Sequence, residues 1–299
     1  MELKNIVVMG GGRLGQAIKM LLEKKGATIA VWDADTARFP DQKPLKEIAP
    51  AADAVFFCVP SPAMREAIAS VVPLVKPECP FVSFAKGIDG TTGKIMPELF
   101  SEMAGAYPLA VIGGPMLAEE ISMGGNAAAV IASKAEALRA ALCDLFSSPQ
   151  FKAEPSDDLL SVALAGVLKN IYAVVLGIAD GINVSGNEKG WFVAQAIEEM
   201  VGIGKILGAD EKIILGTAGV GDLVATGYSP YSRNRKTGDE IVATGTCTVP
   251  GEGLLSLPAF TVRLGADAAN FPLLGLVGKI CADHEPAKAA LDAFFEKRK

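Results

Sequence analysis

The sequence contains only one histidine, His284, and its five cysteines include no C-x-x-C pair. A single histidine near the end of the chain argues against both a metal centre and a Ser-His-Asp triad. An odd number of widely spaced cysteines is typical of a reducing compartment, without structural disulfides or a thiolate metal site. The N-terminus enters an apolar strand pattern at once, without the pattern of a targeting peptide. We therefore expect a cytoplasmic protein with no resident metal.

The sequence also has fewer basic than acidic residues. The chain has 28 Lys and Arg against 34 Asp and Glu, a net charge of −6. Nucleic acids are bound by basic patches, so a nucleic-acid partner is not expected. Half of the residues are hydrophobic and 21% are charged, as in a well-packed globular protein. A length of 299 residues suits two domains better than one core.

A glycine-rich turn follows the first apolar run. Residues 5–9 are rich in β-formers, and Gly10-Gly-Gly12-Arg-Leu-Gly15 comes next, followed by a helical pattern. Strand, G-x-G-x-x-G and helix together predict a dinucleotide site. Gly10 would make the tight turn, Gly12 would let the backbone approach the pyrophosphate, and Gly15 would let helix and strand pack closely. The positive end of the helix would face the phosphates.

Asp33 follows the next apolar run, residues 27–32. An acidic side chain at this position hydrogen-bonds the ribose 2′-hydroxyl and repels a 2′-phosphate, which favours NAD over NADP. A surface-turn acid is the alternative interpretation, and Asp35 is a second candidate for the carboxylate.

Further apolar runs at 54–59, 81–84 and 109–112 end in small or polar residues, and weaker ones near 130 and 151 would close the sheet. Ligands of open parallel sheets bind at such strand ends. Lys86 is therefore a candidate site cation, with an ordinary loop lysine as the alternative. Ser156 or Asp157 is expected to cap the next helix.

The second half of the chain is predicted to be helical. Helical spacing is found in the runs 157–181, 188–207, 211–218, 219–227, 253–265 and 272–295. The predicted fold is thus α/β, with an N-terminal Rossmann-type doubly wound sheet in residues 1–155 and an all-α C-terminal domain in residues 156–299.

Lys169 and Asn170 interrupt the apolar stretch 159–182. A transmembrane span is one explanation, but a central Lys costs about 2.5–3.5 kcal/mol there, so stable membrane insertion is not expected. A snorkelling lysine on a core helix is the second explanation. The third is a functional lysine, because an unpaired buried ammonium is heavily penalised.

A polar segment surrounds Asp222 and continues to Arg235. Its glycines, its acid and its Ser-Arg-Asn-Arg sequence predict a binding loop, since Arg suits bidentate phosphate recognition. A solvated basic turn with a helix-capping Asp is the alternative.

With these motifs in place, the chain resembles the NAD(P)-dependent glycerol-3-phosphate dehydrogenase family almost from end to end. The matching elements are the glycine turn, Val59-Pro-Ser61, Lys86-Gly87, Gly114-Pro115 with Ala118-Glu119, Leu168-Lys-Asn-Ile171, Asp180-Gly181, Gly221-Asp222-Leu223, Ser232-Arg-Asn-Arg235 and Glu252-Gly253. The glycine turn is shared by many families, whereas the Leu-Lys-Asn and Ser-Arg-Asn-Arg elements together are specific.

The resemblance implies an enzyme that interconverts dihydroxyacetone phosphate and glycerol 3-phosphate by hydride transfer, and a homodimer. It implies that Lys169 is the catalytic acid–base, with Lys86 and Asp222 as further catalytic residues. The implied substrate-binding residues are Lys86, Gly114, Lys169, Asn170, Asp222, Thr226, Ser232, Arg233 and Asn234. The implied cofactor-binding residues, beside Gly10, Gly12, Gly15 and Asp33, are Arg13, Leu14, Lys86, Ala118, Arg233 and Glu252.

The chain departs from the family pattern in a few places. Leu14 stands where an aromatic residue is common, residues 38–54 form a shorter segment, and Asp33-Ala34 replaces a small residue followed by Arg, which reinforces NAD. Gly113-Gly-Pro-Met116 replaces Ser-Gly-Pro-Ser/Thr, removing hydroxyls expected near the substrate. Two alternatives follow: a related reductase of another hydroxy acid or phosphorylated ketone, motivated by Met116, and a non-catalytic NAD-binding regulator.

The chemistry itself also calls for a lysine. Hydride delivered to a ketone carbon generates an alkoxide, so a proton donor must stand at that oxygen. With the one histidine misplaced, Lys169 is the candidate, and burial beside Lys86 would bring its pKa toward neutrality. We expect Asp222 to limit that shift and to orient one of the lysines.

Overall fold

Seven strands form a single sheet in the computed structural model, which describes residues 1–297. The strands are β1 (Asn5–Met9), β2 (Thr28–Trp32), β3 (Ala54–Phe57), β4 (Phe81–Ser83), β5 (Leu109–Gly113), β6 (Ala127–Ala132) and β7 (Phe151–Ser156). Their order across the sheet is β2-β1-β3-β4-β5-β6-β7. Strands β1 to β5 pair in parallel, β6 runs antiparallel to β5, and β7 runs parallel to β6.

Helices cover the sheet and then build the C-terminal part of the chain. Those among the strands are α1 (Arg13–Glu23), α2 (Leu45–Ile48), α3 (Met64–Val71), α4 (Met96–Ala104), α5 (Ala118–Ser122) and α6 (Glu136–Phe146). Those that follow are α7 (Leu159–Gly181), α8 (Gly186–Ile206), α9 (Glu211–Leu215), α10 (Asp222–Tyr228), α11 (Arg233–Thr244), α12 (Glu252–Leu264), α13 (Pro272–Ala282) and α14 (Ala287–Lys297). A π-helical turn at Thr217–Gly221 precedes α10.

The sheet is buried on both faces, as the predicted doubly wound fold requires. Successive side chains of a strand point to opposite faces. Phe56 of β3 therefore packs with the core under α1 and α6, whereas its neighbour Phe57 packs with the core under α3 and α4. The predicted α/β fold with a helical C-terminal domain is confirmed. Strand β7 ends at Ser156 and α7 begins at Leu159, while the exact division at 155/156 stays a prediction.

Helix α7 lies at the centre of the helical domain, and every residue from Ser161 to Ala179 is buried. It contacts α8, α10, α11, α12 and α13, and it also packs on β5. Among residues 1–297 it is the one helix long and apolar enough to cross a membrane, but most of it is buried inside the protein, as in a core helix.

The start of α7 and the break between α13 and α14 differ from the predictions. The N-cap of α7 is Asp158, whose carboxylate accepts a hydrogen bond from Ser161 N at 2.9 Å, because Ser156 belongs to β7. The predicted helix 272–295 is two helices. His284 has a φ of 55°, which ends α13, and Pro286 lies just before α14, where its missing N–H costs nothing. The two predicted runs 211–218 and 219–227 correspond to α9 and α10, and the π-helical turn Thr217–Gly221 lies across the boundary between them.

Helix α11 was not predicted, because its sequence is rich in charges and contains a glycine. Packing against α7 explains why it is helical here. A Cβ added at Gly238 would lie 2.2 Å from Val174 O, and one added at Gly177 would lie 2.0 Å from Arg235 O. The two helices therefore approach backbone to backbone, and only glycine fits at the crossing.

Candidate active site

Three charged side chains meet where the sheet and the helical domain join. Lys169 Nζ of α7 donates to Asp222 Oδ1 at 3.0 Å, and Lys86 Nζ, beyond the end of β4, donates to Asp222 Oδ2 at 2.6 Å. Lys169 Nζ also donates to Thr226 Oγ1 at 2.6 Å, and Lys86 Nζ to Gly114 O at 2.6 Å. Asp222 was expected to orient one lysine, but it holds both.

Burial governs the electrostatics of this cluster. Lys169 is only 5% exposed and its ammonium is paired inside the protein, so the snorkelling explanation is wrong. The pKa of Lys169 is lowered to about 8, chiefly by burial, with Asp222 opposing the shift and Lys86 adding to it. Burial raises the pKa of Asp222, but the two ammonium groups outweigh burial and leave that pKa below its usual range.

A chain of side-chain amides surrounds the cluster. Asn170 Nδ2 donates to Lys86 O at 2.8 Å, and its Oδ1 accepts from Asn234 Nδ2 at 2.7 Å. Asn234 Oδ1 accepts from Gly253 N at 2.8 Å. The side chain of Asn234 therefore links α11 to α7 and α12 through its hydrogen bonds. Its backbone N–H lies in the first turn of α11.

The start of α11 forms an anion-binding geometry. Ser232 is its N-cap, with the hydroxyl accepting from Arg235 N at 3.2 Å. Arg233, the first residue of the helix, has an exposed side chain. First-turn N–H groups and an Arg are suited to a phosphate. The predicted binding loop is therefore the beginning of a helix.

The glycine turn after β1 has the backbone geometry and the open space that a pyrophosphate requires. Gly10 has a φ of 104°, which favours glycine, and a Cβ at Gly15 would lie 2.0 Å from Gly10 O. At Gly12 a Cβ would meet nothing within 4 Å, so that side of the turn is open. Gly12 is the N-cap of α1, and no side chain caps the helix there. The residues present fit a dinucleotide cofactor.

Asp33 lies beside this turn. Its Oδ2 accepts from Gly11 N at 2.7 Å and its Oδ1 from Asp35 N at 2.9 Å, while the side chain of Asp35 is exposed. Asp33 is thus the carboxylate at the turn, as the sequence favoured.

A cleft of about 610 Å³ opens in front of the turn, lined by Gly12, Arg13 and Ala118 among others. Arg13 forms an ion pair with Glu119 across the cleft. Leu14, by contrast, packs against the core on one face of the sheet.

Glu252, the first residue of α12, is hydrogen-bonded across the two domains. Its Oε1 accepts from Ser61 N at 2.8 Å and its Oε2 from Ser61 Oγ at 2.5 Å. Burial raises the pKa of Glu252, and the Ser61 hydrogen bonds and Lys169 partly offset that rise. Ser61 was not among the predicted site residues, although Val59-Pro-Ser61 follows a strand end, the signal that identified Lys86.

Met116 does not line the site. It is 7% exposed and packs in the core on one face of the sheet. At Gly113 a Cβ would lie 2.9 Å from Val162 Cγ1, so Val162 occupies the space that the family's serine would need. Among residues 1–297 no cluster of three or more His, Cys, Asp or Glu side chains could hold a metal ion.

Comparison with known proteins gives a consistent result. The NAD-dependent glycerol-3-phosphate dehydrogenase N-terminus matches residues 37–139, and the C-terminus of the same family matches residues 158–292. A relative from Azotobacter vinelandii, named glycerol-3-phosphate dehydrogenase (NAD(P)+), is 32% identical, covering 87% of this chain and 80% of its own. One from Acinetobacter baylyi with the same name is 33% identical, covering 78% and 71%.

Solved structures agree on the fold. The glycerol-3-phosphate dehydrogenase of Coxiella burnetii superposes with a TM-score of 0.90 at 24% identity, covering 99% of each chain. A ketopantoate reductase from Ralstonia eutropha reaches 0.61 at 15% identity, covering 96% of this chain and 98% of its own. On the two family matches and these relatives, the chain belongs to the NAD-dependent glycerol-3-phosphate dehydrogenase family.

Proposed function

We propose that the protein interconverts dihydroxyacetone phosphate and glycerol 3-phosphate by hydride transfer, with NAD as cofactor and Lys169 as the acid–base. The observation that carries this proposal is the buried Lys169 ammonium, held by Asp222 and Thr226 beside Lys86. An amine with a pKa of about 8 exchanges protons in both directions near neutral pH.

The sheet domain would hold the cofactor, which supplies or accepts the hydride when bound. Gly10, Gly12 and Gly15 leave room for the pyrophosphate at the N-terminus of α1. The carboxylate of Asp33 stands beside the turn and would repel a 2′-phosphate, which supports NAD over NADP. Arg13, Leu14 and Ala118 lie around the same cleft or behind it.

The helical domain would hold the substrate. The phosphate would bind at the N-terminus of α11, between the Arg233 guanidinium and the first-turn N–H groups that follow Ser232. Anchoring at the phosphate fixes the carbonyl relative to the hydride donor, which converts binding energy into orientation. The amide chain through Asn170 and Asn234 keeps this anchor in a fixed relation to Lys86.

Lys169 would move the proton. Its two described hydrogen bonds use two of its three N–H groups, leaving the third for the substrate oxygen. In ketone reduction the ammonium gives its proton to the oxygen that becomes an alkoxide, and in the reverse direction the neutral amine takes it back. Lys86, fixed by Asp222 and Gly114, adds positive charge where the negative charge develops.

The two alternative functions gain no support from the site. The related reductase was motivated by Met116, whose side chain packs in the core of the sheet domain. A regulator would need the cofactor cleft but not a second lysine on Asp222. We further propose the cytoplasm as compartment and a homodimer as assembly.

The direct test is the loss of NADH absorbance after addition of dihydroxyacetone phosphate to the purified protein. We expect turnover with this substrate, slower turnover with NADPH, and little with unphosphorylated dihydroxyacetone, because that ketone lacks the anchor for Arg233. Absence of turnover in protein that still binds NADH would refute the proposed substrate. A small panel of phosphorylated ketones and 2-keto acids would then identify the correct one.

A further inference from the structure

The side chain of Gln42 is bound to the backbone of Asp33 by two hydrogen bonds. Gln42 Oε1 accepts from Asp33 N at 2.6 Å, and Gln42 Nε2 donates to Asp33 O at 2.7 Å. The amide therefore pairs with both backbone groups of the first residue after β2, much as a neighbouring strand would. Gln42 lies in the short segment after Arg38 in which this chain departs from its family pattern.

This pairing fixes Asp33 from two sides. Its carboxylate accepts from Gly11 N and Asp35 N, while its N–H and C=O are bonded to Gln42. The carboxylate leaves the glycine turn either by side-chain rotation, which breaks its bonds to Gly11 N and Asp35 N, or by movement of its backbone. Gln42 opposes the backbone movement.

The loop between Asp33 and Gln42 folds back over the glycine turn. Phe39 N donates to Asp35 O at 3.1 Å, and a Cβ at Gly11 would lie 2.6 Å from Phe39 Cζ. The aromatic ring thus rests directly on the turn. Gln42 closes the far end of this loop, so the loop's position depends on the Gln42 amide.

A cation lies in the same loop. Arg38 is exposed, its guanidinium is 5.4 Å from the centroid of the Phe39 ring, and both residues line the cleft in front of the turn. A 2′-phosphate would be attracted by Arg38 and repelled by Asp33. Which charge dominates depends on where the Asp33 carboxylate is held.

We propose that Gln42 is a positioning residue that sets selectivity between NADH and NADPH by holding Asp33 against the glycine turn. The inference rests on the proposed function of the cleft, and goes beyond it by assigning selectivity to a residue that does not line the cleft.

The test is calorimetric titration of NADH and of NADPH into the free protein, without substrate. The variant Gln42→Met keeps the side-chain volume but removes both hydrogen bonds, and we expect it to reduce the ratio of the two affinities about five- to tenfold, as for the loss of one or two hydrogen bonds. The variant Gln42→Glu would keep an acceptor for Asp33 N but add a negative charge that itself repels a 2′-phosphate, so the neutral variant Gln42→Met is the one that isolates the hydrogen bonds. Asp41→Ala, an exposed neighbour, serves as the matched control.

The outcomes separate the two proposals. An unchanged ratio in Gln42→Met, or an equal loss of affinity for both cofactors, overturns the role of Gln42. A preference of the wild-type protein for NADPH also overturns it. If the wild-type protein binds neither dinucleotide, the proposed function of the cleft fails as well. Since the readout is binding, absence of turnover with any ketone leaves this result standing on its own.

Discussion

Helix α7 carries two buried polar clusters less than one turn apart, and they have opposite characters. Lys169 belongs to the cluster with Asp222 and Lys86. Tyr172 belongs to the other, in which its hydroxyl donates to Glu199 Oε2 at 2.8 Å. Glu199 is 5% exposed and also accepts from the first-turn N–H groups of α13, Leu273 N at 2.7 Å and Leu274 N at 2.9 Å.

The comparison teaches that a buried charge does not by itself mark a functional site. The carboxylate of Glu199, a residue of α8, lies at the N-terminus of α13, where the helix dipole and fixed N–H donors compensate its charge. Lys169, in contrast, shares Asp222 with a lysine of the other domain and retains an N–H that its described bonds do not use. Unused hydrogen-bonding capacity where two domains meet distinguishes the proposed catalytic cluster from the structural one.

The comparison is tested most severely by removing Lys169. In Lys169→Ala we expect kcat to fall about a thousandfold or more, because general acid–base catalysis contributes roughly 10²–10⁴ and the donor is lost entirely. NADH affinity should stay near that of the wild type, and the protein should fold, because Asp222 keeps Lys86. Steady-state kinetics and a calorimetric titration measure both.

Lys189→Ala is the matched control for this variant. Lys189 is a half-buried lysine of the helical domain that, like Lys169, shares an acid with a second cation, here Asp180 with Arg235. We expect its rate to stay within a few-fold of the wild type. Substantial residual turnover in Lys169→Ala would remove the assigned role, and an equal loss in both variants would show that only folding was affected.

The structural cluster should respond in the opposite way. Glu199→Ala leaves the Tyr172 hydroxyl and two N–H groups of α13 without their acceptor, so we expect the free energy of unfolding to fall by about 3 kcal/mol. The folded fraction should keep its kcat. Urea denaturation measures the first quantity and kinetics below the transition measures the second, with Glu198→Ala, an exposed neighbour, as the control. A large loss of kcat with unchanged stability would contradict the distinction drawn between the clusters.

Much of the candidate active site could be predicted from the sequence because its signals are local. The Gly10–Gly15 turn follows a strand and opens a helix, and Lys169 stands out as the one basic residue in a long apolar stretch. Each is a departure from a periodic pattern over a few residues. The same holds for the sheet, whose strands are short apolar runs ending in small or polar residues.

The structural cluster and the Gln42 contact left no such signal. Glu199 follows another glutamate on an amphipathic helix, and two of its partners are backbone groups more than seventy residues along the chain. Gln42 pairs with backbone atoms, which any residue could supply. Helix α11 was not predicted for a related reason. The packing of Gly238 on α7 outweighs the low helix propensity of the α11 sequence. Contacts between a side chain and distant backbone atoms depend on the whole fold, so no local sequence pattern predicts them.

The pH dependence of turnover should sharpen the comparison, since the pKa of Lys169 lies near neutrality and that of Tyr172 is raised far from it. Lys169, with a pKa of about 8, is protonated below that pH and can donate, so kcat for ketone reduction should be level at lower pH and fall about tenfold per unit above it. In the oxidation direction the neutral amine is required, so kcat should rise with pH through the same region and then level off. Burial beside a carboxylate raises the pKa of Tyr172 well above its usual value, so Tyr172 contributes no limb there, and Tyr172→Phe should leave both profiles unchanged. Profiles that bend in the same sense in both directions would mean that the titrating group does not exchange the proton with substrate, and Lys169 would then act only through its charge.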